Sequence, residues 1–114
     1  MSFDASAVFG EPVLAATTVS PRDFRQTPAF ASTAYLTVTE NEVALIKVEP
    51  IGERIRLGNV LARVPRSEVV SAEVSDGILN NPVTIAFSDG GRWEFEVSRL
   101  IKKRAQRVVE VLDS

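Results

Sequence analysis

Cysteine and histidine are both missing from this 114-residue chain. Without cysteine there is no disulfide, no thiol nucleophile and no iron–sulfur ligand, and without either residue the usual zinc sites are gone. The missing histidine also removes the commonest general base near neutral pH. A large charge excess is absent too. The net charge is −2 and the isoelectric point about 5.2, which argues against general DNA or RNA binding, whose proteins carry a basic excess. No apolar run approaches the roughly 20 residues that span a bilayer. Residues 1–10 show neither a basic start nor an apolar run, so no leader peptide is expected. Together with the absence of cysteine, this makes the cytoplasm the expected location.

Hydrophobic residues make up 45% and charged residues 25% of the chain, an ordinary globular composition for one domain of this length. Residues 13–19 are rich in β-branched side chains and lie between Pro12 and Pro21, as a first strand would. Residues 20–32, with Pro21 and Pro28, read as a loop. Residues 34–39 alternate apolar and polar, and Glu40-Asn41 makes a turn. Residues 42–48 carry apolar groups on both faces, which implies burial on two sides. Residues 54–64 are either one bent strand with a bulge or two short strands. Pro65 begins a corner, residues 69–74 form a fifth strand, and residues 75–82 read as loop. Val83, Ile85 and Phe87 alternate with polar or small residues, and after Asp89-Gly90-Gly91 so do Trp93, Phe95 and Val97. This is a hairpin signal, with both apolar sets able to face one core.

The period then changes from two to about 3.6. Ser98 is placed to cap a helix over residues 99–112. Its apolar stripe is Ile101, Ala105, Val108 and Leu112, flanked by Leu100, Val109 and Val111. The expected fold class is mainly β with one C-terminal α-helix: a barrel of about seven antiparallel strands, closed by that helix. The expected organisation is one domain, with an arm over residues 1–11, a barrel over 12–97 and a helix over 98–113.

The order of these short motifs resembles the PH-like superfold, in its bacterial PH and GRAM branch. Gly10-Glu11-Pro12-Val13-Leu14-Ala15 is similar to that group's opening strand, and Tyr35-Leu36-Thr37-Val38-Thr39 to its next. Glu42-Val43-Ala44-Leu45 is similar to the strand that follows. Val64-Pro65-Arg66-Ser67-Glu68-Val69 resembles its corner and residues 83–95 its last hairpin. The likeness runs from Gly10 to Leu112. It implies a binding or scaffolding module without catalysis, since members hold lipid head groups, peptides or other proteins, and the fold does not choose among them.

Two basic groups are the candidate contact residues. Arg22 and Arg25 lie in the first loop, where the resemblance places the phosphoinositide-binding residues of PH domains. No Lys or Arg occurs over residues 33–39, a departure from that pattern. Arg99, Lys102, Lys103, Arg104 and Arg107 lie on the terminal helix and could meet an anionic lipid, a phosphate or an acidic partner. The competing reading is a solvated helix face, whose cations would suit a helix C-terminus. Trp93, in register with Phe95 and Val97, is expected in the core. Asp76 and Asp89 are turn residues, and Glu94 and Glu96 point away from the apolar set. No nucleophile–base pair, calcium loop or Walker loop is present. The expected protein is therefore a non-catalytic interaction module without a cofactor. A protein partner or self-association is the first expectation, aided by exposed sheet edges and by Phe24 and Phe30. An anionic membrane surface is the alternative.

Overall fold

The computed structural model describes residues 10–21, 33–51, 54–78 and 80–113. Arg22, Phe24, Arg25 and Phe30 lie outside the described residues, as does most of the expected N-terminal arm.

Seven antiparallel strands follow in the order β1 (Ala15–Pro21), β2 (Ala34–Val38), β3 (Glu42–Ile51), β4 (Arg54–Pro65), β5 (Val69–Val74), β6 (Asn80–Phe87) and β7 (Arg92–Ser98). They hydrogen-bond as β4-β3-β2-β1-β7-β6-β5. β1 joins the two halves: its residues 15–19 pair with β2, while Ser20 and Pro21 pair with β7. A 3₁₀ turn, Arg66–Glu68, links the outer strands β4 and β5, which are not paired with each other. A second 3₁₀ turn, Arg99–Ile101, leads into the helix α1 (Lys102–Asp113).

The helix packs chiefly on β1 and β5 and less on β2 and β7. Laid flat, β1 and β5 would stand about 14 Å apart at roughly 4.8 Å per strand. A helix about 10 Å across meets both only if the sheet curls around it. The fold is thus an open, barrel-like roll with the helix filling its mouth.

Alternation dictates the core. β6 and β7 bury every second residue, so Val83, Ile85, Phe87, Trp93, Phe95 and Val97 face inward. Trp93 meets Phe87 and Phe95 edge-to-face, with centroids at 4.9 and 6.1 Å, the arrangement that ring quadrupoles favour. From α1, Ala105, Val108 and Val111 enter the same cluster, beside Val19, Leu36, Val38, Val43 and Leu45. β2 and β3 are buried on both faces. Tyr35 and Ile46 form a smaller cluster on the outer side with Val13, Ala16, Val48, Leu57 and Val60.

One alternative left open by the sequence is decided, and three details differ from the sequence expectation. Residues 54–65 are one strand, bent where extra residues on β4 shift its register against Leu45, Ile46 and Val48. β1 begins two residues later than the apolar run and continues through Pro21. β6 starts at Asn80 rather than after Pro82. Pro82 is tolerated because its carbonyl, and therefore its nitrogen, face the end of β5, where only Ser75 donates, to that carbonyl at 2.9 Å; no ladder N–H is needed there. Finally, residues 99–101 form a tighter turn, so the α-helical phase begins at Lys102. Leu100, expected to flank the apolar stripe, lies in that turn and is 95% exposed.

Candidate functional site

The register Asn80↔Ser98 brings the β5–β6 loop beside the start of the helix. Ser98 Oγ accepts a hydrogen bond from Leu100 N at 3.3 Å and turns the chain out of β7. Arg99 Nη1 then donates to the carbonyl of Ile78 at 3.2 Å, and Lys102 Nζ donates to the Asp76 carboxylate. The loop holds its shape through Gly77: a Cβ there would stand 1.8 Å from the carbonyl oxygen of Asn80. Its amide also leans on Asn81 Oδ1 at 3.4 Å. Asn81 itself is buried, and its Nδ2 finds no partner among the described residues.

The result is a corner in which Arg99, Lys102, Lys103 and Arg104, with Leu100, Ile101 and Gln106, line an open depression of about 630 Å³. Leu100 and Ile78, 95% and 90% exposed, stand out from it. Arg99, Lys103 and Arg104 are exposed, whereas Lys102 is half-buried by its pairing with Asp76. That lysine, joined by the more distant Arg99, holds the Asp76 carboxyl below its ordinary range. Among the described residues Lys103 has no carboxylate partner. Residues 99–107 contain five cations and no carboxylate.

The placement runs against helix electrostatics. A helix N-terminus carries partial positive charge from unpaired N–H groups and favours carboxylates. Here the first turn has no acidic residue and contains Lys102, Lys103 and Arg104. The last turn has no basic residue and contains Glu110 and Asp113. Preference for a helix C-terminus therefore does not account for these cations, which occupy the other end.

At that other end the missing cation comes from the β4–β5 corner. Arg66 Nη2 donates to the carbonyl of Val111 at 2.5 Å, and its Nη1 to the carbonyls of Thr39 and Glu40 at 3.2 and 3.3 Å. Close by, Glu42 takes two bonds from Arg63, at 2.6 and 2.7 Å. Glu11 binds the side chains of Thr39 and Asn41. These hydrogen bonds lower the Glu42 and Glu11 carboxyls below their ordinary range.

Of the sequence-predicted residues, Arg99, Lys102 and Lys103 are brought together in the corner, with Arg104. Arg107 lies one turn on and is engaged with Glu110 at 3.8 Å. Sequence reading missed Ile78 and Asp76 as members of the corner. Counting back from the Gly90 turn would have paired Asn80 with Ser98 and so brought the loop before Asn80 to the start of the helix.

The fold and corner define a class: a small β-roll with a terminal helix and a cationic, apolar-tipped corner at the start of that helix. Comparison with protein-family models, with curated proteins and with solved structures gives no match.

Proposed function

We propose that the protein is a non-catalytic binding module, of the kind the PH-like resemblance implies, and that it engages an anionic partner through the corner around Arg99, Lys102, Lys103 and Arg104. One observation carries this reading: the cations crowd the helix N-terminus, where they oppose the helix dipole rather than complement it. A merely solvated face would not need them there. The clustered cations attract negative charge.

Self-association through sheet edges has less support. β4 is bent by two register shifts, and β5 is interrupted beside the exposed Val70, so neither edge is a flat template for a second strand.

Retention on immobilised heparin, a polyanion without lipid, tests the reading. The protein is expected to bind at low salt and elute as salt rises. The double substitution Lys103→Glu/Arg104→Glu should lower the dependence of log affinity on log salt by about two, one for each cation replaced. Identical elution of the two proteins would contradict it.

A further inference from the structure

We infer that the β5–β6 loop is an internal competitor for the cationic corner: Asp76 holds Lys102 in the place of a partner's anionic group, and the partner displaces it to engage the whole corner. The inference rests on the binding role proposed above and adds how that site is regulated.

Three observations lead to it. The first is chemical identity. The corner's cations call for an anion, and the loop already brings one to them. Asp76 accepts a hydrogen bond from Lys102 Nζ across 26 residues of sequence. With that lysine beside it, and Arg99 farther off, its carboxyl stays below the ordinary range and is ionised at neutral pH. Lys102 also lines the open depression, so loop and partner compete for one cation.

The second is how the loop is held. Ser75 N donates to the Pro82 carbonyl at 2.9 Å, just past the last paired residues of β5 and β6. Farther on, Arg99 donates to the Ile78 carbonyl at 3.2 Å and Lys102 to Asp76. Both of these fastenings come from the corner's own cations. Burial adds little to them, since the Asp76 side chain is 82% exposed and Ile78 is 90% exposed. Exposed ion pairs contribute little to stability, so an anion that meets several of the cations can replace this one.

The third is a penalty carried by the closed loop. The Gly77 amide reaches Asn81 Oδ1 only at 3.4 Å. Nδ2 of the same buried side chain has no partner among the described residues. A buried donor left unpaired is unfavourable. Withdrawal of the loop opens that amide to water, which brings the displaced arrangement closer in free energy to the closed one.

The competitor sets a threshold. Asp76 is tethered, so its effective concentration at Lys102 is high. A single free anion gains little by exchanging with it. A polyanion that also meets Arg99, Lys103 and Arg104 gains contacts that Asp76 alone does not supply.

The experiment is titration of the full chain with a heparin oligosaccharide at about 0.1 M salt, where charges are screened beyond roughly 10 Å. Asp76→Asn should bind about fivefold more tightly than the parent, the upper end for release of an exposed ion pair. Asp76 is exposed, so the variant should fold. Asp113→Asn removes the same charge at the far end of the helix, about 16 Å along its axis from Lys102. It should change the affinity by less than about twofold. With Lys102→Met already in place, the gain from Asp76→Asn should also fall below about twofold, the range within which uncoupled substitutions add. A gain from Asp76→Asn no larger than that from Asp113→Asn, or one that persists without Lys102, overturns the competitor and leaves the cationic corner standing. Failure of the parent and of every variant to bind heparin ends both readings.

Discussion

The two ends of α1 show opposite relations between charge and fold. At the C-terminal end the carbonyl of Val111 is met by Arg66, which also grips the β2–β3 turn. Glu42, Arg63, Glu11, Thr39 and Asn41 complete a set in which polar groups find partners. At the N-terminal end four cations surround an already positive terminus, and two large aliphatic side chains lie in solvent. Asp76 offsets only Lys102 directly. The first arrangement is what stability requires. The second works against stability, and a group kept at some cost to the fold is where a binding role is best sought.

Three perturbations sharpen this contrast, from the largest expected effect to the smallest. Arg66→Ala should destabilise by about 3 kcal/mol in urea unfolding, toward the upper range for hydrogen bonds from a charged donor, because it orphans carbonyls on two elements. Heparin retention, which the proposal assigns to the opposite end, should not change. A loss of less than about 0.5 kcal/mol would show that Arg66 does not close that end.

Acid comes next. The carboxyls of Glu11, Glu42 and Asp76 are all held below their ordinary values of 4.5, 4.5 and 3.8. A carboxyl with a lowered folded-state pKa stabilises the fold above its unfolded value and loses that contribution as pH falls. Unfolding midpoints should therefore hold steady above about pH 5 and fall progressively below about 4.5. Glu42→Gln should flatten the upper part of that decline, and a profile identical to the parent's would remove Glu42 from the account.

The smallest effect is the reversal of a single cation in the first helical turn, taken up at the end.

Much of the fold was legible because it is local. The two-residue alternation on either side of Asp89-Gly90-Gly91 gave β6 and β7 and their inward residues. The double apolar faces of residues 43–46 announced a strand buried on both sides. The details missed are those that depend on a partner element. Left open was the choice between one bulged strand and two short ones over residues 54–64, which the register against β3 decides. Pro82 reads as a breaker until β5 is known to stop beside it. The 3₁₀ turn that exposes Leu100 shifts the helical phase by less than a pattern of seven apolar residues can register.

The corner was half legible for the same reason. Arg99, Lys102, Lys103 and Arg104 are adjacent in sequence and drew notice as a basic run. Their meaning depends on which helix end they occupy, which the start of the α-helical hydrogen bonding decides. Asp76 and Ile78 lie more than 20 residues away and join only through the β6–β7 register.

Lys103→Glu tests the central claim most directly, through paired measurements of urea stability and polyanion affinity on one protein. A carboxylate at this exposed first-turn position complements the helix dipole, so stability should rise by about 0.5 kcal/mol while heparin retention falls. A variant that is destabilised by about 1 kcal/mol or more, on the order of an ordinary structural substitution, or that keeps the parent's retention, would show that the cations serve the fold and not a partner.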